Sequence, residues 1–124
     1  MFEQQELSPQ VKAVLAEIMA ALKQYAAAGQ TWTIFLDKMA LTFDERAAIR
    51  DFLGEGTVTI QLADKSEPVE WLESGIAGVW FGVYFNYDHK PVLETIEIGG
   101  FPQIAQAQPE DIRQGIHLLQ QNLG

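Results

Sequence analysis

The first segment of the chain repeats its apolar residues at helical spacing. Ser8 is a good N-cap, and Pro9 takes the first helical position, where its missing N–H costs nothing. The apolar positions that follow recur every three or four residues, at Val11, Val14, Leu15, Ile18, Leu22 and Tyr25. With Gly29 as a C-cap, this pattern predicts an amphipathic helix between Ser8 and Gly29.

The middle of the chain changes from helical spacing to strand spacing. Residues 31–36 are dense in β-branched and aromatic side chains and too few for a helix, so they predict a strand. A second helix is predicted to begin at Thr42 and to stop at Gly54. From Thr57 to Leu62 apolar and polar residues alternate, which is typical of a strand with one solvated face.

Three more strands are predicted in the second half of the chain. One begins at Val69 and ends near Ser74. Residues 79–85 are apolar on both faces, which predicts a central strand that is covered on two sides. A turn at residues 88–91 then leads into a returning strand over residues 92–98.

A last helix is predicted to open at Pro109, and its buried stripe is expected to consist of Ile112, Ile116, Leu119 and Leu123. The order of elements is therefore helix, strand, helix, four strands and helix. This order predicts an α+β fold, a largely antiparallel sheet of about five strands with helices packed on it. The length of the chain predicts one domain over residues 1–124.

The composition of the chain argues against several classes of function. The chain has 8 basic and 17 acidic residues, a net charge of −9, so it would repel a phosphate backbone and we expect no nucleic-acid partner. The absence of cysteine excludes a thiol nucleophile, a zinc ribbon and an iron–sulfur cluster held by the chain's own thiolates. Because no apolar stretch matches a bilayer and Met1 leads into no basic n-region, we expect a cytoplasmic protein without membrane insertion.

The sequence lacks the spacing of a catalytic or metal-binding motif. Its two histidines, His89 and His117, are too far apart for a zinc pair, and none of its serines lies in a nucleophile elbow. We therefore expect no catalytic, cofactor-binding or metal-binding residues. Two alternatives stay open. One is a carboxylate-dependent enzyme that uses Glu73, Glu94 or His117, and the other is a small ligand-binding module with a pocket between sheet and helices.

Aromatic residues are concentrated around the predicted central strand. On that strand Trp80 and Tyr84 share one face, and Phe81 belongs to the other, which we expect to face the core. Because tryptophan and tyrosine are enriched at the centres of protein interfaces, the first face is either a second packed layer or a partner-binding surface. For a partner-binding surface we expect Trp80 and Tyr84 as aromatic anchors, with Trp71 and Glu73 as further contacts.

Several short motifs occur in a fixed order: Leu41–Thr42, Leu53–Val58, Glu73–Trp80, Ile96–Ile98, Phe101–Pro102 and Pro109–Arg113. Each is weak alone, but together they resemble the C-terminal region of HupH-type hydrogenase expression proteins, the family that includes HoxQ and HyaF. The resemblance covers roughly residues 31–114 and, with the preceding helix, most of the chain. Family members are typically longer, with an additional N-terminal portion.

The resemblance implies a maturation factor for the uptake nickel–iron hydrogenase. Such a factor is thought to help fold or assemble the iron–sulfur-bearing small subunit before export, without enzymatic activity. The implied partner is the hydrogenase small-subunit precursor or another maturation protein, and no cofactor is implied.

The acidic residues are concentrated in the second part of the chain, since residues 1–50 hold 6 acids and 5 bases and residues 51–124 hold 11 acids and 3 bases. The resemblance implies a client with a twin-arginine export signal, which a negative surface would attract. Either these acids attract that client or they only keep a small domain soluble. The acids in question are Asp51, Glu55, Asp64, Glu67, Glu70 and Glu73.

Overall fold

The computed structural model describes residues 6–124. The expectation that no export signal begins at Met1 concerns residues 1–5 and therefore lies outside the described residues. Its helices and strands are α1 (Pro9–Ala28), β1 (Trp32–Phe35), α2 (Phe43–Leu53), β2 (Thr59–Leu62), β3 (Val69–Glu73), β4 (Val79–Phe85), β5 (Pro91–Ile98) and α3 (Pro109–Leu123). Short 3₁₀ turns cover Leu36–Lys38 and Gln103–Ala105. The α+β prediction is confirmed.

The five strands form one antiparallel sheet in the order β1-β5-β4-β3-β2. β4 lies at the centre, as its apolar residues on both faces predict. β5 returns to pair with β1, which places Ile96 opposite Ile34. Trp71 of β3 is opposite Gly82 of β4, and Gly82 is opposite Thr95 of β5. This register decides which side chains share a face.

The beginnings of α1 and α2 are joined through one glutamate. Ser8 caps α1, because its hydroxyl accepts the Val11 backbone N–H at 3.2 Å. Thr42 and Glu45 form a capping box at the start of α2. The Ser8 hydroxyl also donates to the Glu45 carboxylate, and this bond together with the Thr42 backbone N–H lowers the pKa of Glu45.

Helices α1 and α2 pack on one face of the sheet and enclose the main core. The buried residues of this core are Val11, Val14, Ile18, Ala21, Ile34, Leu36, Ile49, Leu53, Val79, Phe81, Ile96 and Ile98. The opposite face of the sheet, which we call the second face, carries a smaller buried cluster of Val69, Trp71 and Trp80. Ala105, from the connection between β5 and α3, packs against this cluster, so that connection covers part of the second face.

The prediction of a buried stripe on α3 is wrong. Its four apolar residues are exposed, with fractions of 51% for Ile112, 52% for Ile116, 63% for Leu119 and 87% for Leu123. In the described part of the chain no helix or strand packs extensively against α3. The physical reason is that α1 and α2 cover one face of the sheet and the connection before α3 packs against the buried cluster of the other, so both clusters form without α3. Neither α3 nor another helix of residues 6–124 is long and apolar enough to cross a membrane.

Candidate interaction surface

An open groove lies between the C-terminal end of α2 and strands β2 and β3. Its volume is about 440 Å³. Leu72 and Phe81 give it apolar lining, and the guanidinium of Arg50 lies 5.1 Å from the centre of the Phe81 ring. The groove therefore has room for side chains of a partner.

The lining of this groove is also acidic. Asp51 and Glu55 are exposed, and Glu73 is half-buried. The Glu73 carboxylate accepts the Thr57 backbone N–H at 3.1 Å, which holds the side chain in place. Because Arg50 is the one base among the lining residues, the groove carries two excess negative charges and favours a cationic segment. We call this site the acidic groove.

Two closely packed turns build the acidic groove, and both belong to the motifs singled out in the sequence. Gly56 donates its N–H to the Glu73 carbonyl at 2.8 Å, and Gly75 donates to the Leu53 carbonyl at 2.9 Å. A Cβ at Gly56 would lie 2.6 Å from the Ser74 carbonyl oxygen, and a Cβ at Gly75 would lie 2.7 Å from the Leu53 oxygen. The glycines are thus required by the approach of two backbones.

The remaining acids of the predicted set lie elsewhere. Asp64 accepts the backbone N–H groups of Ser66 and Glu67 in its own loop, and these bonds lower the pKa of Asp64. Glu70 accepts from the side-chain amide of Gln61 on the neighbouring strand at 3.2 Å. The structure therefore brings three of the six predicted acids to one groove and disperses the others.

The predicted aromatic anchors are mostly buried. Trp71 has no exposed area, and Trp80 is 4% exposed. The Trp80 indole N–H donates to the Gly99 carbonyl at 3.1 Å, and its ring packs edge-on against Phe101. Tyr84 is half-buried and packs edge-on against Trp71. This burial favours the packed-layer alternative, and a role of these residues in partner binding stays a prediction.

Glu97 is a buried carboxylate on the second face, and the sequence predictions did not include it as a site. Its Oε2 accepts the Trp71 indole N–H at 2.9 Å, the Tyr84 hydroxyl at 2.9 Å and the Thr95 hydroxyl at 2.7 Å. A Cβ at Gly82 would lie 2.7 Å from the same oxygen, so the glycine makes room for the cluster. The sequence contained a signal for this site. In a strand, side chains alternate between the two faces, so a glutamate between two core isoleucines points to the opposite face, where the predicted anchors lie.

The Glu97 cluster determines the protonation state of Tyr84. Burial, then the negative charge of Glu97, then the hydrogen bond between them, raise the pKa of Tyr84 well above its usual value of 10.0. The phenol therefore keeps its proton and continues to donate to the carboxylate in ordinary buffers. The arrangement is that of a structural hydrogen-bond network between strands.

The three groups of the enzyme alternative are held by different parts of the fold. Glu73 lines the acidic groove, whereas Glu94 forms an ion pair with Arg46 of α2 at 3.4 Å. His117 is exposed on α3, and neither it nor Glu94 lines the groove. His89 lies in the β4–β5 turn, stacked on Phe85. Among residues 6–124 no three histidine or acidic side chains are placed to hold a metal ion.

A candidate location for the ligand-binding alternative lies beside Trp32. This tryptophan is 48% exposed at the start of the edge strand β1, and its indole N–H donates to Glu17 at 2.9 Å. An open cavity of about 310 Å³ lies next to it, with Ala20 and Ala21 of α1 in the lining. Its volume is near the lower end of the usual range for small-molecule pockets.

Comparison with known proteins finds one family. The family model described as "HupH hydrogenase expression protein, C-terminal conserved region" matches residues 10–124. The hydrogenase expression/formation protein HoxQ of Azotobacter vinelandii is 32% identical over 101 residues, which is 80% of this chain and 35% of that protein. The hydrogenase expression/formation protein HupQ of Azotobacter chroococcum matches with the same identity and coverage. The chain thus spans about a third of the length of these relatives.

A solved structure has the same fold. The hydrogenase expression protein HupH from Thiobacillus denitrificans superposes with a TM-score of 0.84 over 94% of this chain and 96% of that chain. Its sequence is 23% identical, so this likeness concerns the fold alone. The arrangement of helices and strands described above is therefore found in a protein of considerably different sequence.

Proposed function

The chain belongs to the family of HupH hydrogenase expression proteins, and on that basis we propose that it is a non-enzymatic assembly factor for nickel–iron uptake hydrogenase. The names of its relatives refer to hydrogenase expression and formation, which are accessory roles. In this proposal the chain acts like a chaperone in the cytoplasm. It binds the small-subunit precursor, or another maturation protein, by protein–protein contact and without a cofactor.

The observation that carries the proposal is the acidic groove. Its turns lie within two of the segments that resemble the family, 53–58 and 73–80. A lysine or arginine of a client would place its apolar stem along the half-buried Leu72 and its charged end beside Asp51 and Glu55, which are exposed. This composition supports recognition of a basic protein segment, such as the twin-arginine region of a small-subunit precursor.

The distribution of charge supports the same client. Residues 51–124 hold 11 acids and 3 bases, so this part of the chain attracts positively charged partners over distance. Attraction of this kind raises the association rate more than it slows dissociation. The groove then provides a place where the attracted segment makes contact.

The experiment is a binding titration with purified small-subunit precursor immobilised on a sensor. Association and dissociation rates are measured at ionic strengths from about 0.05 to 0.5 M, across which exposed charges become screened. We expect the association rate to fall by about tenfold or more over this range, with a smaller change in dissociation. Unchanged association rates would refute electrostatic recognition, and absence of binding would refute the small-subunit target.

A charge-matched pair of double variants tests the groove itself. Asp51→Asn with Glu55→Gln removes two charges from the groove, whereas Asp88→Asn with Asp111→Asn removes two exposed charges outside its lining. The groove variant should bind the precursor several-fold more slowly, by about three- to tenfold, and the control should bind nearly as the wild type. Equal slowing by both would show that only net charge matters.

A further inference from the structure

The apolar stripe of α3 has the geometry of a helix–helix seam. Its four residues, Ile112, Ile116, Leu119 and Leu123, follow one another at intervals of four, three and four. This is the spacing of the core positions of a coiled coil. All four are more than half exposed, and α3 is a helix of 15 residues, a length at which an isolated helix is only marginally stable in water. The helix therefore needs a surface to pack against.

The two buried clusters of the sheet form without α3. The face of the sheet under α1 and α2 is filled by the main core. On the second face Trp71 and Trp80 are already buried, and Pro102, from the connection that leads to α3, is buried too. Among residues 6–124 no helix or strand packs extensively against α3, so the stripe is open to contact with another molecule.

The charge of α3 differs from that of the acidic groove, the surface proposed to bind a basic client. Residues 114–124 contain no Asp, Glu, Lys or Arg, although the whole chain carries a net charge of −9. The stripe therefore lacks the negative charge that would attract a basic segment, whereas the acidic groove carries such charge. It also lets two equally negative molecules meet at a neutral surface, with most of their charge held elsewhere.

The spacing is self-complementary. If two α3 helices lie antiparallel about a two-fold axis between Ile116 and Leu119, Ile112 of one copy faces Leu123 of the other, and Ile116 faces Leu119. All four aliphatic residues of each helix are then covered by the same four residues of the second copy. We infer that α3 is a self-association surface, through which two copies of this chain pair as an antiparallel helical seam. This inference concerns a different surface from the acidic groove and does not depend on the proposed function.

The size of the stripe sets the strength of the expected dimer. Stable interfaces bury roughly 800 Å² on each partner, and a single seam of four aliphatic residues is small by that measure. We therefore expect a concentration-dependent dimer with a dissociation constant between about 1 µM and 1 mM. Sedimentation equilibrium across this range should show the average mass rising from 13.9 kDa towards twice that value. A chain that stays monomeric throughout would overturn the inference.

Two variants with the same charge change test the seam. Leu119→Glu places a carboxylate on the stripe, whereas Gln121→Glu places one about 160° further round the same helix. We expect Leu119→Glu to weaken dimerisation by at least about tenfold, as one buried charge in a small interface does, and Gln121→Glu to dimerise like the wild type. Equal behaviour of the two variants would place the interface elsewhere. Circular dichroism at low concentration checks that both remain folded.

Disulfide cross-linking tests the antiparallel arrangement. Because the sequence contains no cysteine, every disulfide formed joins the introduced residues. Ile112→Cys and Leu123→Cys chains are mixed, oxidised and digested, and the disulfide-linked peptides are identified by mass spectrometry. The antiparallel seam predicts disulfides that join position 112 to position 123. Predominant links between like positions would show a parallel pair and would overturn the proposed geometry.

Discussion

Trp71 donates its indole N–H to the carboxylate of Glu97 at 2.9 Å, although the two residues lie on strands β3 and β5, which are separated by β4. The bond passes over Gly82, the residue of β4 that is opposite Trp71. A side chain at that position would occupy the space of the bond. One buried hydrogen bond therefore joins β3 to β5 across β4, in addition to the backbone ladder of the three strands, which makes the second face a rigid part of the protein.

Removal of the Trp71 donor should be costly because the bond is buried. We expect Trp71→Phe to lower the free energy of unfolding by about 2–4 kcal/mol, from a lost hydrogen bond to a buried charge and from the volume lost. Urea unfolding followed by circular dichroism measures this loss of unfolding free energy. The matched control is Trp32→Phe, which removes an indole bond to Glu17 of the same 2.9 Å length at an exposed site. Its cost should be below about 1 kcal/mol, and equal costs would contradict the role assigned to burial.

The space above Gly82 gives a second prediction. In Gly82→Ala the new Cβ would lie 2.3 Å from Thr95 Oγ1 and 2.7 Å from Glu97 Oε2, so the cluster must move. We expect a loss of about 1–3 kcal/mol in unfolding free energy, the usual cost of overpacking. Gly115→Ala on α3 is the control, since a Cβ there meets nothing within 4 Å. It should leave the unfolding midpoint of the sheet unchanged or raise it slightly, and a stable Gly82→Ala protein would refute the argument.

The Tyr84 phenol should make stability sensitive to alkaline pH. Since the pKa of Tyr84 is raised in the folded state above its ordinary value of 10.0, the unfolded state loses the proton first. The resulting stabilisation is complete below pH 10 and is lost as the pH rises above that value. Urea unfolding at pH 8 to 11 should therefore show the advantage of the wild type over Tyr84→Phe shrinking above pH 10. A constant difference would contradict the raised pKa.

The bond between Ser8 and Glu45 should have the opposite pH dependence. Because this bond and the Thr42 amide lower the pKa of Glu45 from 4.5 in the folded state, they stabilise the protein above that pH, and the effect is lost as the pH falls through the folded-state pKa. Ser8→Ala should cost about 1 kcal/mol at pH 7 through the lost cap alone. NMR titration should show the Glu45 pKa rising in this variant. A double-mutant cycle with Glu45→Gln isolates the bond, and a coupling of zero would disprove it.

Local signals in the sequence were sufficient for most of the fold. Ser8, Gly29 and Thr42 mark helix ends because capping depends on groups within one or two turns of the chain. Residues 79–85 predicted the central strand because apolar side chains on both faces require cover on both faces. The sequence also shows the acidic excess of residues 51–124, but it does not show which of these acids share a groove.

The features that remained open depend on contacts between distant segments. Whether Trp80 is an anchor or part of a packed layer depends on the connection after β5, which brings Phe101 against its ring. The Glu97 cluster requires three strands in one register, which no local pattern specifies.

The stripe of α3 shows most clearly what the sequence determined and what the tertiary structure decided. Hydrophobic spacing determined that residues 109–123 form an amphipathic helix, because a helix of this pattern has one apolar side wherever it lies. The sequence did not determine what that side contacts, since burial depends on whether another surface is still open when the rest of the chain has packed. The tertiary structure decided this by forming the buried clusters on both faces of the sheet without α3, which leaves Ile112, Ile116, Leu119 and Leu123 exposed.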